Sequence, residues 1–282
     1  MSNQTGALYV VATPIGNLED ISDRARAVLA AVDLIAVEDT RHSKKLLSVL
    51  GIKTPMQAYH DFNERDAAAK LLERLKQGRD IALISDAGTP LINDPGYHIV
   101  SMAHEHNIRV IPVPGPSALI CALSASGLPV NRFTFEGYAP EKQAARRQHM
   151  QMLCNETRTI VFYETPHRIM AFMEDAIACF GPDRVITIAR ELTKKYETIR
   201  KGTLTELQVW MRENEEQCKG EFVVLIEGVD SEVSSDEAEI RRILAVLLRS
   251  LPVKEAAAMA AEITGGKKND LYKLALVLKD QA

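Results

Sequence analysis

The stretch Ile81–Gly96, IALISDAGTPLINDPG, decides the fold. Ile81-Ala82-Leu83-Ile84 is an apolar run with no polar interruption, the pattern of a strand buried on both faces of a parallel sheet. Ser85-Asp86-Ala87-Gly88-Thr89-Pro90 ends the run in small residues that expose backbone N–H groups. Asn93-Asp94-Pro95 then offers an N-cap followed by Pro at the first helical position, so a helix is expected from Pro95 to His106. Ligands of open α/β sheets bind where such loops leave the carboxyl ends of strands. A plain strand-to-helix connection, punctuated by Gly and Pro, uses the same residues. Asp86 favours the ligand reading, because an acid directly after a buried strand is placed to meet a hydroxyl or an amine.

Working outward, the same alternation recurs on both sides. Leu8–Ala12 and Leu34–Val37 read as buried strands, Met56–Tyr59 as a weaker one, and Val110–Val113 as another. Helices are expected after Ser22, around Leu46–Leu50, over Glu64–Gln77 and over Ala118–Ser126. This alternation predicts a parallel sheet with helices on both faces. Beyond Ser126-Gly127-Leu128-Pro129, strands are expected at Phe133–Glu136, Thr159–Tyr163, Arg184–Arg190, Glu197–Lys201 and Phe222–Glu227. Helices are expected at Lys142–Leu153, Pro166–Phe180 and Leu204–Asn214. No helix separates some of these strands, so the second sheet is expected to be mixed. Asp230–Asp236 reads as a polar linker, followed by three helices. The expected division is an α/β domain over 1–117, a second α/β domain over 118–229 with a ligand cleft between them, and a small helical extension over 234–282.

Composition narrows the class. With 46% hydrophobic and 26% charged residues the chain reads as an ordinary soluble globular protein. No apolar run approaches the roughly 18 residues of a membrane span, and the N-terminus has no basic segment ahead of an apolar one, so no signal peptide is expected. The four cysteines, Cys121, Cys154, Cys179 and Cys218, are scattered without CxxC pairing. This argues against a zinc site and a disulfide scaffold and fits a reducing cytoplasm. The net charge of −4 does not announce a nucleic-acid binder, although local basic faces can hide in it.

The turns Thr13–Asn17, Glu38–His42, Ser85–Pro90 and Pro114–Ser117 all follow strands and are expected at one edge of the sheet. None matches GxGxxG or a P-loop, and HExxH and GxSxG are missing. Glu38-Asp39-Thr40-Arg41-His42 mixes acid, cation and imidazole; it reads either as a proton relay or substrate grip, or as a helix cap with a local Asp–Arg pair. His60-Asp61 with Asn63 is a weaker version. Tyr163 is placed to stack on a base or sulfonium, or to fill the core as a strand-end aromatic. Lys194, Lys195, Arg200 and Lys201, and separately Lys142, Arg146 and Arg147, form basic spots that suit phosphate or simply solvation. Lys267-Lys268 opens the last helix after Gly265-Gly266, in the outline of a helix-turn-helix-like unit.

Taken in order, TPIGNLEDI at Thr13, EDTRHS at Glu38, SDAGTPLINDPG at Ser85, PGPSA at Pro114, FYETPHR at Phe162, ARELTKKYE at Ala189 and GEFVVLIEG at Gly220 resemble the tetrapyrrole-methylase superfamily. These are the class III S-adenosylmethionine (SAM)-dependent methyltransferases, and the resemblance is closest to their ribosomal-RNA branch. It spans about residues 7–228. Thr13-Pro14-Ile15-Gly16-Asn17 replaces the superfamily's glycine-rich GxGxGD turn, a departure typical of the ribosomal branch that argues against a corrin substrate. The resemblance implies two α/β domains with SAM in the cleft between them, a homodimer, and methyl transfer to the 2′-hydroxyl of a cytidine in the decoding region of 16S rRNA within the small ribosomal subunit. By motif it places SAM contacts on Ser85, Asp86, Ala87, Gly88 and Thr89, on Gly115, Ser117 and Ala118, on Phe162 and Tyr163, and on Glu191 and Leu192. Glu38, Asp39 and His60 are the candidate bases, with Arg41 gripping a phosphate or orienting an acid; no metal is expected. A sibling enzyme acting on a tetrapyrrole or protein side chain, and a non-catalytic SAM sensor, are the alternatives.

Overall fold

The computed structural model describes residues 5–60, 64–229 and 240–280. Asp61, Asn63 and the linker Asp230–Asp236 lie outside them. The first lobe holds strands β1 (Ala7–Val11), β2 (Leu34–Val37), β3 (Met56–Ala58), β4 (Ile81–Ile84) and β5 (Arg109–Val113) in the order β3-β2-β4-β1-β5, every neighbouring pair parallel. Helices α1 (Asp23–Ala31), α2 (Thr40–Val49), α3 (Glu64–Lys76) and α4 (Tyr97–Glu105) form the crossovers.

Side-chain alternation explains the apolar runs. Leu34, Ala36, Ile81 and Leu83 pack with Leu71 and Leu75 of α3 and Ile99 of α4 on one face. Ile35, Val37, Ala82 and Ile84 pack with Leu29 of α1 and Leu47 of α2 on the other. A strand covered on both faces needs apolar residues at every position rather than at alternate ones.

The second lobe is the mixed sheet expected. Strands β6 (Phe133–Tyr138), β7 (Thr159–Glu164), β8 (Val185–Arg190), β9 (Thr198–Thr203) and β10 (Phe222–Ile226) run in the order β6-β7-β10-β8-β9. β6 and β7 are parallel and the remaining neighbours antiparallel. Helix α5 (Ala118–Ala125) covers one face through Leu119, Ala122 and Leu123, against Val161, Val223 and Leu225. Ile15 of the first lobe joins this cluster, so the two lobes share a core contact. Helices α6 (Gln143–Met152), α7 (Ile169–Phe180) and α8 (Leu204–Glu213) cover the other face.

Beyond the second lobe, α9 (helical over 240–247), α10 (Val253–Thr264) and α11 (Lys268–Asp280) enclose a small core of Leu244, Ala257, Ala260, Leu271 and Ala275. Gly265, at φ 70°, ends α10 in the left-handed conformation that glycine adopts without strain.

At two proline sites the helix starts differ from the sequence expectation. α4 begins at Tyr97, not Pro95, because Leu91 (φ 72°) and Asn93 (φ 66°) keep the chain in a loop and Gly96 becomes the N-cap. α7 begins after Arg168, not at Pro166; the Arg168 guanidinium reaches back to the Ala139 carbonyl and pairs with Glu164 at 3.2 Å.

Candidate functional site

The turns after β1, β2, β4 and β5 emerge at one edge of the first sheet, as parallel strands require. Those after β1 and β4 are zipped together: Thr13 N–H donates to the Gly88 carbonyl at 2.8 Å, and Gly88 N–H to the Thr13 carbonyl at 3.0 Å. Gly88 has φ 81°, a conformation in which a side chain would be strained. The β4 and β2 exits are tied in the same way. Asp86 N–H donates to Glu38 Oε2 at 3.4 Å, and Asp39 N–H donates to Asp86 Oδ1 at 3.1 Å. Thr89 Oγ1 donates to the Pro116 carbonyl at 3.0 Å, which brings in the turn after β5.

These turns and the facing edge of the second sheet enclose a cleft of about 280 Å³. Asp86, Ala87, Gly88, Thr89, Ser117 and Ala118 line it from the first lobe and α5; Tyr163 and Leu192 line it from the second. Glu38 also faces it. Among the described residues its charged lining is predominantly acidic, with Glu38, Asp86, Asp94 and Glu221 against the ammonium of Lys194. That balance suits a cationic ligand.

Other expected cofactor residues sit behind the cleft wall. Ser85 is buried, its Oγ donating to the Ala87 carbonyl at 3.3 Å, so it shapes the turn from beneath. Gly115 presses on Ala12; a Cβ there would lie 3.0 Å from the Ala12 Cβ. Phe162 is a correction as a lining side chain. It neighbours Tyr163 on β7, so the two point to opposite faces, and the Phe162 ring packs edge-on against Phe172 of α7. Glu191, at φ 49°, turns its carboxylate to Lys194 Nζ at 2.9 Å and to the Glu221 N–H at 3.0 Å, which leaves Leu192 to face the cleft.

The proposed catalytic cluster divides. Asp39 caps α2, accepting from the N–H groups of Arg41 at 2.7 Å and His42 at 3.4 Å. The Arg41 guanidinium, 3.1 Å away, and these backbone donors hold its carboxyl down at about 2. A carboxylate so stabilised is a poor proton acceptor, so Asp39 with Arg41 is the helix cap and ion pair. His60, half-buried just past β3, is outside the cleft lining.

The basic spots are also largely committed. Arg146 and Arg147 both bind the fully buried Asp175, at 2.6 Å each. Lys194 bridges Glu191 and Glu221, at 2.9 and 2.8 Å. Burial lowers its pKa, but the two carboxylates outweigh burial and raise it on balance, so it stays an ammonium. Arg200 lies over the Trp210 ring at 4.4 Å, and Lys201 donates to the Gly127 carbonyl at 2.6 Å.

Sequence reasoning missed Tyr138, Asn93 and Asp94 as lining residues. Tyr138 stands beside Tyr163, ring centroids 5.8 Å apart. Burial pushes the Tyr163 hydroxyl up to about 12, so it stays neutral while its oxygen accepts from Leu119 N–H at 3.2 Å. The clue to Tyr138 lay in Gly137, a glycine inside a strand.

The sequence profile of the Tetrapyrrole (Corrin/Porphyrin) Methylases matches residues 7–208. The chain belongs to the tetrapyrrole methylase family. A second profile, the RsmI C-terminal HTH domain, matches residues 234–279. Among relatives of this methylase, Ribosomal RNA small subunit methyltransferase I of Escherichia coli O157:H7 is 52% identical over 274 residues, covering 97% of this chain and 96% of the relative. The protein of the same name from Pseudomonas aeruginosa is 52% identical over 273 residues, covering 96% and 97%. The fold is also that of uroporphyrin-III C-methyltransferase from Thermus thermophilus, solved with S-adenyl homocysteine: TM-score 0.52, 16% identity, covering 78% of this chain and 97% of that one.

Proposed function

We propose that this methyltransferase moves the methyl group of SAM to the ribose 2′-hydroxyl of a cytidine in the decoding region of 16S rRNA. The observation that carries the reading is the acid-lined cleft walled by small-residue turns, in a chain that matches rRNA methyltransferases over almost its whole length. Bound SAM supplies an electrophilic methyl on a sulfonium centre.

The residues present fit such a donor. Backbone groups of Ala87, Gly88 and Thr89 allow close approach, and Asp86 accepts from an amine or hydroxyl. Ser117, Ala118, Tyr163 and Leu192 complete the wall, and the surrounding carboxylates favour a cationic over a neutral ligand. In-line approach of the acceptor oxygen supplies much of the acceleration. Glu38, alone among the three candidate bases in lining the cleft, takes the hydroxyl proton as the new O–C bond forms and the S–C bond breaks.

The reading assigns donor binding to domains 1–117 and 118–229 and RNA engagement to the extension 234–282. It places the enzyme in the cytoplasm as a homodimer acting on the small ribosomal subunit. Among the described residues no helix is long and apolar enough to cross a membrane.

The test is transfer from radiolabelled SAM to small subunits lacking the modification, with a precorrin as the competing acceptor. Label recovered as 2′-O-methylcytidine supports the reading. Label in the tetrapyrrole, or donor binding without turnover, overturns it.

A further inference from the structure

β6 contains a bulge that changes which way its last residue points. Along β7, Phe135 pairs with Val161, Gly137 with Phe162 and Tyr138 with Tyr163. The register skips Glu136, so Phe135 and Tyr138 fall on the same face although an odd number of residues apart. In a regular strand they would point to opposite faces. Gly137 makes this possible with φ 63°. It also admits the donor-side loop, since a Cβ at Gly137 would lie 2.7 Å from Asn93 Oδ1. Bulges beside active sites commonly re-aim one side chain, and here that side chain is Tyr138.

Among the described residues two tyrosine rings, Tyr163 and Tyr138, line the cleft, and the first is committed. The Phe222 ring turns to the opposite face, into the core with Phe162 and Phe172, and Tyr163 is wedged edge-on against Phe135, with centroids 4.8 Å apart, while its oxygen takes the Leu119 N–H. Tyr138 keeps 46% of its surface open, at the seam between the lobes.

We infer that Tyr138 is the platform on which the base of the methylated nucleotide stacks. The inference rests on the rRNA reading above and deepens it. A ribose 2′-hydroxyl reaches a recessed methyl donor only if its nucleotide is splayed away from its neighbours, and an unstacked base then needs a replacement partner. The carboxylates of the cleft repel phosphate, so an inserted nucleotide is gripped through its base and sugar. An open tyrosine face supplies that grip whatever the base, because every base has a π-face.

The experiment compares wild type with Tyr138→Phe, Tyr138→Leu and Tyr138→Ala on unmodified small subunits. KM for RNA, kcat, and calorimetric affinity for SAM are each measured. A fluorescent cytidine analogue at the target position reports stacking by its quenching. The expected result is a fall in kcat/KM for RNA of about tenfold or more in the Leu and Ala variants, the size of one base–aromatic stack. Phe should retain both activity and quenching, with SAM affinity unchanged throughout. Unchanged RNA kinetics in Tyr138→Leu, or weakened SAM affinity in its place, overturns the inference; the second outcome assigns the ring to the donor. A wild-type enzyme that leaves the cytidine ribose unmethylated overturns the functional reading and this inference with it.

Discussion

Glu64 caps a helix other than its own: its Oε1 accepts from the Gly96 N–H at 2.9 Å. The first residue of α3 thereby closes the loop that starts at Ser85. The same oxygen accepts from the His98 N–H at 3.3 Å and from the Tyr59 hydroxyl at 3.0 Å, while the Tyr59 oxygen accepts from Ile99 N–H. α4 lacks a side-chain cap of its own, so this carboxylate answers the orphan donors of its first turn. Burial raises the Glu64 pKa, but the Gly96, His98 and Tyr59 donors outweigh it and leave the group below 4.5.

Glu64→Gln keeps an oxygen for the three donors but removes the charge that strengthens their bonds, so it should destabilise the protein by about 1 kcal/mol near neutral pH. The folded pKa lies below the unfolded one. The stabilisation is thus complete above the unfolded value and is lost as pH falls through the folded value. Denaturant unfolding of both proteins from pH 7 downward should show the gap closing below about pH 4.5; a constant gap refutes the assignment.

Asp86→Ala should weaken SAM binding by about tenfold or more, the scale of a lost charge-assisted hydrogen bond. Glu38→Gln keeps an oxygen for the Asp86 N–H, so donor affinity should hold while turnover falls. Calorimetry alongside single-turnover methylation separates the two roles. A Glu38→Gln enzyme with full turnover removes Glu38 as the proton acceptor.

Gly137→Ala and Gly51→Ala form a matched pair. Both positions are left-handed, at φ 63° and 72°, so each change costs about 1–2 kcal/mol of stability. Only Gly137 faces another loop; nothing lies within 4 Å of a Cβ at Gly51. Methylation should fall sharply in Gly137→Ala and little in Gly51→Ala when both are assayed well below their unfolding temperatures.

Asp175→Ala should be among the most destabilising single changes outside the cleft. The Asp175 carboxylate takes Arg146 Nε at 2.8 Å, Arg147 Nε at 2.6 Å and Gln143 Nε2 at 3.2 Å. Removing it strands a buried guanidinium, with a loss of about 3–5 kcal/mol. Urea unfolding measures the loss directly, and Arg147→Ala, which removes the more exposed partner, should cost much less.

Lys267→Glu with Lys268→Glu should weaken association with the small subunit and flatten its salt dependence by about one unit of slope for each phosphate no longer neutralised. SAM affinity should not move. An unaltered salt slope excludes these lysines from the RNA interface.

What the chain declared on its own was whatever depends on neighbours in sequence. The apolar runs of β1, β2 and β4 announced buried strands, and the small-residue turns at Thr13, Ser85 and Pro114 marked the ligand edge. The Asp39–Arg41 cap was readable too, since N-cap and ion pair lie within three residues. Seven ordered motifs pointed to the family. Tertiary structure alone decided which side chains face the cleft and which hold it from behind. Phe162 and Tyr163 are adjacent in sequence yet serve opposite faces of β7, and only the packing of α5 and α7 shows which is which. Tyr138 enters the cleft because a bulge shifts its parity. Glu64 caps α4, and Arg146 and Arg147 meet Asp175, across separations of about thirty residues. Local propensity and periodicity act over a few residues, whereas caps, buried ion pairs and strand register are set by partners that only the folded chain brings within hydrogen-bonding distance.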